Sequence, residues 1–111
     1  MYVLRGSIDS LGAMRALSDG TIVYEWVRFR TDTEVFRLGK ITVGHGLSNF
    51  VYTGSVGTFA LHQIFIFPYT TIIGFQAGHI EEVEPIGWLF GPGREAIHRA
   101  LQAANTAKQR A

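Results

Sequence analysis

Residues 41–80, ITVGHGLSNFVYTGSVGTFALHQIFIFPYTTIIGFQAGHI, form a forty-residue stretch without a single Asp, Glu, Lys or Arg. Val, Ile, Phe, Tyr and Thr gather in short runs between glycines and Pro68, a pattern that suits strands and turns better than helix. Strands are expected at 49–56, 59–67 and 70–76, with Pro68 marking an edge, bend or bulge because it cannot donate to a ladder. The segment 59–77 is long enough to be tested as a membrane span. His62, Gln63, Pro68, Tyr69, Thr70 and Thr71 interrupt it, so no membrane span is expected.

An exposed strand usually carries charge on its wet face, partly to discourage edge-to-edge pairing. Here charge is missing from both alternating faces, so something must cover these strands. In so short a chain the sequence points to a second subunit. The expected partner is a further copy of this chain or another protein.

Working outward toward the N-terminus, Thr21–Arg30 and Glu34–Val43 are rich in β-branched and aromatic residues and flank Thr31-Asp32-Thr33, which reads as a three-residue hairpin loop. Pairing Arg30 with Glu34 sets Val23, Val27 and Phe29 on a core face. It sets Tyr24, Trp26, Arg28, Phe36, Leu38 and Lys40 on the other. Tyr2–Ile8 reads as a strand, followed by a brief helix capped by Asp9 or Ser10 and carrying Leu11, Met14 and Leu17 on one side.

Toward the C-terminus, Ala77-Gly78 is a turn, 80–84 an acidic strand or connection, and 86–90 a last apolar strand. Pro92 suits the first turn of a helix. Ile97, Ala100, Leu101 and Ala104 give that helix one apolar face. The whole reads as an α+β protein: a strongly bent antiparallel β-sheet or partly open β-barrel of six to eight strands, with a C-terminal α-helix packed on it. No linker or low-complexity tract divides residues 1–111, which form one domain.

Composition narrows the chemistry. Ten basic against nine acidic residues leave a net charge of +1, which excludes a broadly basic nucleic-acid coat and makes any electrostatic partner the business of a local patch. Eight of the ten cations are Arg, a planar donor suited to anions and aromatic faces. With no cysteine there are no disulfides, thiolate catalysis or Cys-type zinc sites. The N-terminus shows no secretory pattern, and cytoplasm is the expected location.

His45, His62 and His79 recur at intervals of seventeen, with Gly57, Gly74 and Gly91 each twelve further on. No carboxylate travels with them and the spacing fits no short ligand motif, so no metal or other cofactor is expected. Glu81, Glu82 and Glu84 read as a solvated acidic connection. There is no nucleophile elbow, Walker loop or dinucleotide fingerprint, and no catalytic residue stands out.

The expected function is therefore non-enzymatic: binding or assembly as a homo-oligomer through the uncharged stretch 41–80. A second reading is a module for an anionic small molecule or nucleic acid. It would use Tyr24, Trp26, Arg28, Arg30, Phe36 and Lys40 on the hairpin, with Arg94 at the helix start. A third is a small barrel with an apolar ligand cavity.

Overall fold

The structure, a computed structural model, describes residues 1–63, 69–87 and 90–110, with 107–110 as backbone only. Its elements in chain order are β1 (Tyr2–Leu11), β2 (Met14–Ala16), β3 (Ile22–Arg30), β4 (Val35–Val43), a 3-10 turn (Ser48–Phe50), β5 (Val56–Gln63), β6 (Thr70–Ala77), β7 (Ile80–Val83) and α1 (Arg94–Arg110).

One mixed, seven-stranded sheet holds the chain together. The first half of β1 pairs with β5 and its second half with β3. β3 pairs with β4, and β5 with β6. A short parallel seam, Ile41–Val43 on Thr70–Ile72, joins β4 to β6. Three hairpin-ordered strands, β1, β3 and β4, thus have β5 returning beside the first of them, a Greek-key order. The parallel seam is only three pairs long because β6 turns away to pair with β7 through Gly74–Ala77. The sheet is bent nearly around on itself but is not a closed barrel.

Inside the bend lies the main core: Ile8, Tyr24, Val27, Phe29, Ile41, Val43, Leu47, Val51, Phe59, Leu61, Ile72 and Phe75, with Leu4 near its edge. Phe59 sits between Phe29 and Phe75, at centroid distances of 5.6 and 5.1 Å, and Phe50 stacks on Phe75 at 4.9 Å. These are the spacings that favour offset and edge-on aromatic contact.

A second core lies on the opposite side of β5 and β6, under α1. Ala60, Ile73, Val83, Ile97 and Leu101 make it. Ile97 and Leu101, one helical turn apart, both have 0% exposure, and the small residues Gly74 and Ala60 let the helix come close. A Cβ on Gly74 would lie 2.8 Å from Ile97 Cγ2 and 3.1 Å from Leu101 Cδ1. Three polar ties fix the helix to β7 and β1: Arg94 Nη1 donates to the Val83 carbonyl at 3.1 Å, His98 bonds Glu81, and Arg5 Nη1 donates to the Ala104 carbonyl at 3.3 Å.

The two cores account for the missing charge in the middle of β5 and β6. Residues 58–61 of β5 and 72–75 of β6 are buried consecutively rather than alternately, because one face meets the main core and the other meets α1. Over these eight residues the cover is supplied from within the chain, while Tyr52, Val56 and Ile80 of the same charge-free stretch are exposed.

Several sequence expectations shift in detail. The hairpin loop is Thr31–Glu34, closed by Thr31 N–H donating to the Glu34 carbonyl at 2.8 Å and tied again through the Thr31 hydroxyl. Arg30 consequently pairs with Val35, not Glu34, and every pair moves by one. The brief helix around Met14 is instead the edge strand β2, which pairs Met14–Ala16 with Ile22–Tyr24. Residues 49–55 form the 3-10 turn and a loop, not a strand. Pro68, residues 64–67 and residues 88–89 of the expected last strand lie outside the described residues. Among the described residues no helix is long and apolar enough to cross a membrane.

Candidate functional site

The one-residue change of register decides which side chains share the outer face of β3 and β4. Arg28 now stands opposite Arg37, Trp26 opposite Gly39, and Arg30 opposite Val35. Like charges placed directly across a strand pair repel, so the fold holds Arg28 and Arg37 together at some cost. Gly39 has open space where its side chain would be, and Arg37 leans diagonally across it until its guanidinium carbon is 5.5 Å from the centre of the Trp26 ring. On its other flank the indole lies against Gly12, where a Cβ would stand 2.6 Å from the indole nitrogen. The ring is held in one orientation between backbone and cation.

Asp9 divides the arginines' attention. It is the extra residue of a bulge in β1, where Ile8 pairs with Phe29 and Ser10 with Arg28. Bulges re-aim side chains, and this one brings the carboxylate between two arginines: Arg28 Nε lies 3.3 Å from Oδ2, and Arg30 Nε and Nη2 both donate to Oδ1 at 3.1 Å. Arg37 has no acidic partner among the described residues.

Tyr24 and Val27 both point inward, as do Ile41 and Leu38 opposite them, so each strand switches face between these positions. Lys40 sits at the switch with φ of +23°, a conformation L residues seldom adopt. From there its ammonium reaches 5.5 Å from the centre of the Tyr69 ring, at the start of β6. A second cation–aromatic pair therefore continues the line begun by Arg37 and Trp26.

Of the seven residues singled out from the sequence, Trp26, Arg28, Arg30 and Lys40 share this outer surface. Tyr24 does not: at 5% exposure it belongs to the main core, and burial raises the pKa of its hydroxyl above the ordinary tyrosine value. Phe36 also turns inward, half-buried against the core and 6.0 Å from Phe29. Arg94 lies with α1 on the β7 side of the sheet, its guanidinium bonded to Val83. Arg37, Tyr69 and Asp9 belong to the surface and were not singled out; only the correct register brings Arg37 opposite Arg28.

The three evenly spaced histidines occupy unlike places. His45 is in the turn after β4, His62 on β5 with Nε2 3.1 Å from the Phe90 carbonyl, and His79 in the turn between β6 and β7. Among the described residues no group of His, Asp and Glu is arranged to hold a metal ion.

Beside Tyr69 the outer surface drops into a cleft of about 670 Å³, within the range typical of small-molecule sites. It is bounded by β2, the start of β3, the end of β4, the start of β6 and the strap Glu84–Ile86 that follows β7. No protein-family model, no curated protein and no solved structure matches this chain.

Proposed function

We propose that the protein is a binding module for single-stranded nucleic acid, held on the outer face of β3 and β4. The observation that carries this reading is the line of paired cations and rings, Arg37 on Trp26 and Lys40 on Tyr69, flanked by Arg28 and Arg30. Single strands are bound without strict sequence preference where cations track the phosphates and aromatic faces offer stacking. Small, partly open Greek-key barrels use the face of their second and third strands for this purpose; in the Greek-key order β1, β3, β4, β5 the corresponding strands are β3 and β4. Strand order by itself carries no function; the side chains support the reading.

A contact between copies through residues 41–80 is the alternative reading; it would use exposed residues such as Tyr52, Val56 and Ile80 rather than the middle of β5 and β6, which the main core and α1 cover. The net charge of +1 fits a local patch and modest affinity.

The test is fluorescence anisotropy with a labelled oligothymidine across a salt series. Binding should weaken as salt rises, with a logarithmic slope of about 0.7 for each phosphate contact. The double substitution Arg28→Ala, Arg37→Ala should weaken binding at least tenfold and flatten that slope by about 1.4. Absence of binding at low salt, or binding indifferent to both substitutions, overturns the proposal.

A further inference from the structure

The cleft beside Tyr69 has an ionic group at each end and an apolar middle. Val23, Thr42 and Thr71 lie across its floor on three neighbouring strands. The two threonine hydroxyls satisfy each other at 2.7 Å. Leu17, Ile86 and Tyr69 contribute apolar and aromatic wall. Arg15, on β2, has no acidic partner among the described residues. Asp19, on the rim, is committed to the Thr21 N–H at 2.9 Å.

Glu84 is the unusual member. Its N–H donates to the Ile73 carbonyl at 2.8 Å, which extends the β6–β7 pairing by one step and turns the side chain back over the end of β4. The carboxylate fills the place where a side chain on Gly44 would be: a Cβ there would lie 2.2 Å from Oε2. Oε1 accepts from the Gly46 N–H at 3.3 Å, while Oε2 is buried with no partner among the described residues. A buried carboxylate oxygen without a donor is costly, and the fold reserves a glycine to keep it there. The terminal torsion of Glu is broad, so this oxygen can turn toward a donor entering the cleft.

We infer that the cleft is a nucleotide pocket, with N–H donors on the edge of the base meeting Glu84, the ring against Tyr69, and the phosphate meeting Arg15. Two strand spacings separate Arg15 from the end of β4, on the order of 10 Å, which a nucleoside monophosphate spans. Guanine offers two neighbouring N–H donors to a carboxylate and adenine one amino group, so guanine is the favoured base. A free nucleotide and the terminal nucleotide of a bound strand present the same chemistry. The inference shares Tyr69 with the nucleic-acid face but does not depend on it.

Calorimetric titration of the full chain with GMP, AMP and inorganic phosphate tests this directly. GMP should bind saturably and about tenfold more tightly than AMP, as expected for one charge-assisted hydrogen bond. Glu84→Gln, which keeps an acceptor for Gly46, should cost GMP about tenfold, and Arg15→Ala should weaken GMP and AMP alike. Arg28→Ala, Arg37→Ala should leave GMP binding unchanged, so failure of the nucleic-acid face and failure of the pocket are read separately. Comparing GMP with an oligothymidine ending in guanosine 5′-phosphate distinguishes a free from a terminal nucleotide. No saturable binding at millimolar GMP by protein whose thermal melt is intact, or a Glu84→Gln protein that binds GMP as well as the parent, overturns the inference.

Discussion

The pair β5–β6 and the pair β3–β4 are built from strands of nearly equal length, yet one carries no charge and the other carries Glu25, Arg28, Arg30, Arg37 and Lys40. Their surroundings account for the contrast. β3 and β4 have the main core on one face and water on the other, so buried and exposed residues largely alternate, with one switch of face at Lys40. β5 and β6 have a core on both faces, and burial runs through four consecutive residues in each. Charge is absent where the chain covers itself twice.

The most damaging test of that contrast removes the second cover. Leu101→Ala opens a cavity between α1 and the outer faces of β5 and β6, where Leu101 has 0% exposure. It should destabilise the protein by about 2–5 kcal/mol in denaturant titration. Arg28→Ala on the other pair removes a half-exposed ion pair and should cost about 1 kcal/mol or less. Similar losses from the two substitutions would mean that α1 is not an integral part of the core.

The sequence made the β3–β4 hairpin and the helix legible because each had a clear period, an alternation around 31–34 and Ile97 with Leu101 four residues apart, while β5 and β6 were legible from their β-branched and aromatic residues between glycines and Pro68. It did not reveal what covered the middle of β5 and β6, since a charge-free strand looks the same under a helix of its own chain as under a neighbouring subunit. Register was missed by one because the closing contact is made by Thr31 through both its backbone and its hydroxyl, which adds Glu34 to the loop. That shift hid Arg37. The inward turn of Tyr24 was hidden for another reason: the face switch between Tyr24 and Val27 breaks the two-residue period on which the reading of faces relied.

The inward position of Tyr24 has its own signature in alkali. Desolvation raises its pKa in the folded state, so its contribution to stability is complete below the unfolded value, near about 10, and is lost as pH rises through the folded value. Tyr24→Phe should therefore unfold with a shallower loss of stability between about pH 9 and about pH 11 than the parent. Tyr2, whose pKa burial also raises, remains in both proteins and leaves part of the slope. An unchanged slope would place the Tyr24 hydroxyl in water, and with it the outer-face assignment that the sequence suggested.

The smallest effect on stability should come from Asp9, and it separates a structural role from a binding one. Its carboxylate is the only acidic group paired with the outer-face arginines among the described residues, and it is there because the β1 bulge puts one extra residue between the partners of Phe29 and Arg28. Asp9→Asn keeps an acceptor for Arg30 and removes the charge. Because both pairs are solvent-exposed, stability should change by about 1 kcal/mol or less. If the arginines exist to meet phosphate, the same substitution frees them and should tighten oligothymidine binding while steepening its dependence on salt. If they exist only to fasten β3 to β1, affinity will not rise and the loss of the ion pairs will be the whole result. The bulge would then be a device for joining strands, and the contrast between the two strand pairs would concern burial alone.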